Sequence, residues 1–298
     1  MNHLRFLRYF DEVARAGSIR QAAERLHVAP SAVNRRIQDL EAELGVPLFE
    51  RLPRGMRLTA AGELFVHHVR SRAADLDKVR SEIEDLRGLR RGVVRLVASQ
   101  ALAPSFMPQA VAAFRRRNPL VQFEIGIGDH VHALDALRVF ATDLALVFNL
   151  GHEADVQRIA RVPQRVMAMM HRSHPLARRG GEGLRLRDCV EFPVALPARA
   201  AGSRQLLDAF LARSSIELKP AIESNSFEFL RGCLYHAHTV SFQIGIGAVT
   251  DGGEIVAREV VDRGFPAGEL VLARLRGRQL PVASHAFSEH LSVLLDAA

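Results

Sequence analysis

Three groups of residues carry side chains suited to chemistry. The first is Ser31, Asn34, Arg35 and Arg36, spaced so that one side of a helix presents most of them together. Arginine pairs with guanine edges or phosphate, and asparagine can pair with adenine through both halves of its amide, so this group suits a nucleic-acid surface. The second is Arg51, Arg54 and Arg57 around Pro53 and Gly55, a basic turn suited to a phosphate backbone. The third is dispersed: Ser99, Gln100, Asp129, Phe148, Arg199, Ser203 and Phe227. Within it, Arg199, Gly202 and Ser203 open a predicted helix, whose first amides favour an anion. Capping of helices by Ser99 and Ser203 is the competing role for those two hydroxyls.

Other chemistry finds less support. His130-Val131-His132 and His236-Ala237-His238 could build a metal or pH-sensitive anion site only if they converge, and i and i+2 diverge on a helical turn. Ser99, Ser203 and the histidines supply residue types for nucleophilic catalysis, but no Gly-x-Ser-x-Gly elbow accompanies them. Gly245-Ile246-Gly247 lacks the rest of a dinucleotide fingerprint, and there is no P-loop. Cys189 and Cys233 have neither metal-ligand spacing nor a disulfide framework, which leaves a transient redox pair as their one active reading. The chain is read as a non-enzyme with no metal and no cofactor.

The elements that must hold these groups follow from periodicity and caps. Residues 3–16 place Leu4, Phe6, Leu7, Phe10, Val13 and Ala14 at helical spacing, with Gly17 as the stop. Ser18 caps a short helix whose Ala22, Ala23 and Leu26 face inward; the small alanine pair allows another helix to approach closely. His27-Val28-Ala29 turns the chain, Pro30 opens the next helix, and Gly45 ends it. That helix carries a Val33, Ile37, Leu40, Leu44 stripe and an exposed, basic first half, which describes a helix-turn-helix. The arginine turn after it reads as a two-stranded wing. Residues 1–60 hold ten arginines against seven acids, so the charge excess is modest but concentrated in these two elements.

From Thr59 a long helix runs to about Gly88, with Arg90-Arg91-Gly92 as a hinge. Val69, Leu76 and Ile83 recur every seven residues, and Val79 and Leu86 fill the intervening offset. Phe65 and Ala73 widen this seam, and Arg72 interrupts it. A helix with one such seam needs a partner, which predicts a homodimer through Phe65, Val69, Leu76, Val79, Ile83 and Leu86. Beyond Val93, apolar strands alternate with helices: 93–98, 121–127 and 144–148 are strands around helices 104–117 and one capped by Asp129. This pattern predicts a doubly wound, parallel α/β sheet with ligands at the carboxyl ends of its strands. A second α/β unit follows, and a cleft between two such units is a ligand-binding shape.

At 298 residues and 48% hydrophobic, the chain can fill at least two domains. Its net charge of +7 fits a polyanionic partner, although Lys78 and Lys219 are its only lysines and codon composition explains the arginine bias as well. No signal peptide and no membrane-length apolar run is seen, so a cytoplasmic protein without membrane contact is expected.

With these residues in place the chain resembles the LysR-type transcriptional regulators. The resemblance rests on Phe10, Ala14, Gly17-Ser18, Ala22-Ala23, Leu26, Pro30-Ser31-Ala32-Val33, Ile37, Leu40-Glu41, Leu44-Gly45, Leu48-Phe49-Glu50-Arg51, Arg54, Leu58-Thr59 and Ala61-Gly62. Asp143-Leu144-Ala145-Leu146 and His174-Pro175-Leu176-Ala177 are similar to recurring family signatures. The family implies a winged helix-turn-helix, a linker helix, and a two-subdomain effector domain folded like a periplasmic binding protein. It also implies that the chain returns to the first subdomain from about Pro266, and that dimers of dimers form. The expected layout is 1–59 for DNA binding, 60–91 for the linker and hinge, and 92–298 for the effector domain. Subdomain I takes 92–161 and 266–298; subdomain II takes 162–265.

Candidate DNA contacts are then Ser18, Pro30, Ser31, Asn34, Arg35, Arg36, Arg51 and Arg54. Expected partners are double-stranded DNA read as an interrupted palindrome, a small anionic effector in the third group's cleft, a second copy or tetramer, and RNA polymerase. Three departures from the family stand out. Ala29 replaces the usual Ser or Thr cap, at a cost of about 1 kcal/mol that Pro30 partly offsets. Asn34 replaces Ser, which predicts an altered operator preference. His236-Ala237-His238 stands where Gly-x-Gly is usual. The reading from a different class is a small-molecule binder or enzyme whose N-terminal unit serves only dimerisation.

Overall fold

The computed structural model describes residues 2–53, 55–86, 91–179, 183–236, 238–248, 250 and 253–297, without the side chains of 2–6. Arg54, Gly88, Arg90, Ala237 and the side chains of Leu4 and Phe6 therefore lie outside the described residues. The chain divides into two compact units, Met1–Arg80 and Ser81–Ala298.

The first unit holds α1 (Asn2–Ala16), α2 (Ile19–Leu26), α3 (Pro30–Leu44), β1 (Phe49–Leu52), β2 (Gly55–Leu58) and most of α4 (Ala60–Leu86). Ser18 caps α2 by accepting from the Gln21 amide at 3.4 Å. His27 adopts left-handed backbone, φ 54°, and closes α2, so that Pro30 starts α3 with no side-chain cap from Ala29. Phe10, Val13, Ala22, Ala23, Val33, Ile37, Leu48, Phe49, Val66 and Val69 form the core. Phe10 is its centre, with ring centroids 5.1 Å from Phe49 and 5.0 Å from Phe65. The Glu41 carboxylate accepts from the amides of Leu48 and Phe49, at 2.7 and 3.1 Å, and docks the turn into β1.

Two expectations need correction here. The stripe on α3 buries only Val33 and Ile37; Leu40 is half-buried and Leu44 is 43% exposed, because the end of α3 runs past the core. On α4, Val69 is buried in the first unit's core, so it is not free for a dimer seam, and Phe65 is half-buried with one side packed against that core. A helix of 3.6 residues per turn drifts from a strict seven-residue repeat, and the stripe rotates off the core further along. Leu76 is half-buried, Val79 and Ile83 are each 46% exposed, and Leu86 is 88% exposed. Those four keep the outward face.

In the second unit one sheet has the order β4-β3-β5-β12-β6, from β3 (Gly92–Ala98), β4 (Val121–Ile127), β5 (Leu144–Phe148), β6 (Val156–Gln164) and β12 (Gly268–Leu275). Alternate residues serve its two faces. Val94, Leu96, Leu144, Leu146, Leu270 and Leu272 pack with α5 (Phe106–Arg117) and α9 (Val282–Asp296). Val97, Ala145, Val147, Val271 and Ala273 pack with α6 (His130–Arg138). Burial on both faces is why these strands read as unbroken apolar runs. The other sheet has the order β11-β7-β10-β8-β9, from β7 (Val166–His171), β8 (Val194–Pro197), β9 (Pro220–Ser224), β10 (Val240–Ile244) and β11 (Ile255–Glu259). It is flanked by α7 (Gly202–Leu211) and α8 (Phe227–Cys233).

The parallel pairing predicted for strands 93–98, 121–127 and 144–148 is present, but neither sheet is parallel throughout. β3 pairs in parallel with β4 and β5, but β12 lies antiparallel between β5 and β6, and β7 runs antiparallel to β10 and β11. β6 was not expected at all, and it carries the first sheet to Gln164, past the predicted boundary at 161. Asp143 ties the start of this sheet together. Its buried carboxylate accepts from Arg278, from the Ser284 hydroxyl at 2.8 Å and from the Arg95 amide at 3.4 Å.

His174 closes the second sheet's far end. Its Nδ1 accepts from the Leu176 amide at 3.1 Å, so the proton sits on Nε2, which donates to the His238 carbonyl at 2.8 Å. Burial holds the imidazole below its ordinary value of 6.5. A lowered folded-state value means that the unfolded chain binds the proton first as pH falls. The stability contributed is full above 6.5 and declines as pH falls from there through the folded-state value. His174→Asn keeps a capping side chain but does not titrate, so the urea midpoint between pH 8 and 5 should vary less than in the wild type. An unchanged pH profile would exclude His174 as a source of acid sensitivity.

Candidate functional site

The helix-turn-helix presents its candidate contacts from α3 and the wing. Pro30, Ser31, Arg35 and Arg36 are exposed, and Asn34 is half-buried. Ser31, Asn34 and Arg35 share one face by their i, i+3, i+4 spacing. Ser18 is half-buried and occupied as the α2 cap, and Arg54 lies outside the described residues. Arg36 turns to Asp39 at 3.5 Å, whereas Arg35 has no carboxylate partner among the described residues. In the wing, β1 and β2 pair antiparallel with Glu50 opposite Arg57, and these two form an ion pair at 2.7 Å. Arg51 reaches α3 instead and donates to Asn34 Oδ1 at 2.9 Å. The free amide assumed for an Asn34–adenine pair is therefore not what the fold presents: its oxygen is already engaged.

The second unit contains a cleft of about 390 Å³ between its two sheets. One wall is built from residues at the carboxyl ends of β3, β4 and β5: Ser99, Gln100, Asp129, His130 and Phe148. The facing wall comes from the ends of β8, β9 and β10, with Gly202 and Ser203 opening α7, Asn225 and Phe227 before and at the start of α8, and Gln243. Strand ends are where open α/β sheets leave crevices. Six of the seven predicted cleft residues line this space; Arg199 does not, and its side chain is exposed. Sequence reasoning missed Asn225 and Gln243, and singled out His130 near the cleft only as a candidate for a metal or anion site. Gln243 had a signal, as one of two polar residues, with Ser241, on the mostly apolar strand β10.

Two hydroxyls are poised in the cleft. The Ser99 Oγ accepts from the Phe148 amide at 3.0 Å, which leaves its O–H to donate. Ser203 is buried, and its Oγ has no hydrogen-bond partner among the described residues. Neither serves as the helix cap weighed for it: Ser99 makes no side-chain cap bond, and the residue ahead of α7 is Ala201, which offers none. The α7 amides thus stay open toward the cleft, while at α6 the Asp129 carboxylate already accepts from the His132 amide at 2.9 Å. None of the lining residues is Lys or Arg. The cation of α7, Arg204, is buried and bonded to Asp208, Glu223 and the Pro197 carbonyl at 2.8, 3.0 and 3.0 Å.

Phe148 closes the cleft floor because two neighbours lack side chains. A Cβ on Gly202 or on Gly268 would lie 2.0 Å from a Phe148 ring carbon, so both positions require glycine for this approach. The weighed metal and redox chemistry is not assembled. His130 lines the cleft, while His132 packs over Gly128 and His238 uses its carbonyl on His174. Among the described residues no group of three or more His, Cys, Asp or Glu could hold a metal ion. Burial pushes the Cys189 thiol up to about 12, which keeps it protonated and unreactive. No described helix is long and apolar enough to cross a membrane.

The LysR substrate binding domain matches residues 87–294, and the bacterial regulatory helix-turn-helix of the lysR family matches residues 4–63. The chain is 28% identical over 302 residues to the RuBisCO operon transcriptional regulator of Allochromatium vinosum, covering 99% of this chain and 96% of that one. Its fold is similar to a full-length OxyR variant from Pseudomonas aeruginosa, with a TM-score of 0.69 at 22% identity over 99% of this chain and 93% of that one. It is also similar to full-length CbnR in complex with its target DNA, with a TM-score of 0.62 at 20% identity over 96% and 98% of the two chains. The chain belongs to the LysR family of transcriptional regulators, with a helix-turn-helix that binds DNA and a domain that binds a small-molecule effector.

Proposed function

We infer that the protein acts as a symmetric dimer, joined along α4, that sets α3 of each copy into successive major grooves of an interrupted palindrome. Arg35 carries this reading: it stands exposed on α3 with no carboxylate partner among the described residues, beside Ser31 and Asn34. Leu76, Val79, Ile83 and Leu86 support the α4 contact by their spacing and outward face. The edge strand β4 exposes Ile125 and Ile127, which supports a further self-contact and hence a tetramer. In this reading residues 1–59 bind DNA, 60–91 link, and 92–298 sense the effector, with RNA polymerase as the downstream partner. Reading duplex DNA in a bacterium puts it in the cytoplasm. Its relatives are regulators, and on that ground we read it as a non-enzyme.

The effector in this reading is a small carboxylate. The uncapped α7 N-terminus, the unpartnered Ser203 hydroxyl and the free Ser99 O–H form a donor set without a competing side-chain cation. Asp129 on the facing wall orients it or rejects a second negative charge. Effector binding closes the two subdomains and shifts the population of DNA-reading arrangements through α4. A salt series tests the DNA reading. Binding to the DNA just upstream of its own gene should persist as salt rises while binding to random DNA of equal length is lost. Equal affinities with equal salt slopes would overturn it and favour a small-molecule binder that uses its N-terminal unit only to dimerise. On that complex, saturating small carboxylates should change the footprint; an unchanged footprint would sink the effector assignment.

A further inference from the structure

The contact between Arg51 and Asn34 joins the wing to the recognition helix across 17 positions of sequence. It follows from strand geometry. Alternate residues of a strand share a face, and Phe49 on β1 is buried in the core, so Arg51 lies on the same side and reaches α3. Glu50, the adjacent acid, lies on the other side and is held by Arg57 at 2.7 Å. Arg51 therefore keeps its full positive charge, with a neutral amide oxygen as its partner.

A guanidinium has donors and no acceptor, so the Asn34 atom facing it is the oxygen, and the carboxamide orientation is fixed. Adenine recognition by asparagine needs that oxygen to accept from N6 while the amide nitrogen donates to N7. With Arg51 on one of the oxygen's two lone pairs and its charge beside it, the NH2 group is the half of Asn34 that stays wholly open. Guanine presents two adjacent major-groove acceptors, N7 and O6, and no donor there. The neighbouring guanidinium adds further donors and a positive charge to the same edge.

We propose that Arg51 is a positioning residue that sets base preference through Asn34, turning it into a reader of guanine in place of adenine. This rests on α3 lying in the major groove, and it uses the Asn that replaces the usual serine of the family. Selection of full-length protein on a randomised operator library, read by sequencing, tests it. Asn34→Ala should flatten preference at one position of each half-site and so identify the base pair it faces. There, wild type should favour guanine over adenine by about tenfold or more, the scale of one well-made base contact. Arg51→Met frees the oxygen and should move the guanine-to-adenine ratio at that position by at least about tenfold toward adenine, leaving other positions unchanged. Arg51→Lys, which retains a charged donor, should keep the guanine preference.

An adenine preference in the wild type would overturn the proposal. So would an Arg51→Met variant that weakens binding equally for every base, since that marks a phosphate contact alone. No enrichment of any sequence by the wild type would overturn the major-groove placement of α3 itself, a failure distinct from the other two.

Discussion

Asp143→Ala is expected to remove about 3–5 kcal/mol of stability from the second unit, the scale seen when one partner of a buried ion pair is deleted. The Asp143 side chain is fully buried and that of Arg278 is 6% exposed. Deleting the carboxylate takes a buried anionic acceptor away from the Arg278 guanidinium, which stands 5.3 Å from the centroid of the Phe140 ring. The Ser284 hydroxyl and the Arg95 amide lose an acceptor in the same step. Domains of this kind are stable by only about 5–15 kcal/mol, so about a fifth or more of the total is at stake. Asp143→Asn keeps an acceptor without the charge and should cost less. Pairing Asp143→Ala with Arg278→Met removes both members of the buried pair and should recover part of the loss, the signature of coupled neighbours. Urea unfolding followed in the full chain gives the readout, with the second unit's transition fitted separately. A loss below about 1 kcal/mol would show that solvent already screens the pair. Function is linked to this pair through the sheet: the Asp143 amide bonds the Arg95 carbonyl at 2.9 Å, fixing β5 against β3; β5 ends at Phe148 and β3 leads directly into Ser99.

What was legible in the sequence follows the range of the interactions concerned. The helix-turn-helix is set by local rules: Ser18 as a cap, Pro30 in a first turn, Gly45 in left-handed backbone at φ 70°. The sheets were legible as apolar runs, and their carboxyl ends located the cleft. β6 escaped because Val156-Gln157-Arg158-Ile159-Ala160-Arg161-Val162-Pro163-Gln164 mixes arginines into an edge strand, and Pro163 argues against a strand. An edge strand tolerates both, since one side has no pairing strand among the described residues. Strand direction was illegible because side-chain alternation is the same for parallel and antiparallel pairing, which is why β12 was not foreseen as antiparallel. Arg199 was misplaced because a loop residue has no periodicity to aim its side chain. Distant side-chain partners such as Arg51 with Asn34, or Asp143 with Arg278, leave no spacing signal at all.

The same distinction between local and distant partners decides the largest effect expected on DNA. Arg35→Ala should weaken operator binding by roughly 30-fold or more, because a good base contact is worth about 1–3 kcal/mol and a dimer makes it twice. Arg36 sits one residue further along the same exposed half of α3 but is turned to Asp39 at 3.5 Å, so Arg36→Ala should cost less. Two readouts separate the roles open to Arg35. If it reads a base, Arg35→Ala lowers affinity for the operator far more than for random DNA, and competing operators with that base pair changed no longer discriminate. If it binds phosphate, both affinities fall together, and the slope of log K against log salt becomes shallower by about 1 per arginine removed. Wild-type affinity after Arg35→Ala would remove Arg35 from the contact surface, and with it the observation on which the major-groove placement of α3 rests. Either binding result keeps α3 at the DNA, but only operator-selective loss makes Arg35 a determinant of which genes the regulator reaches.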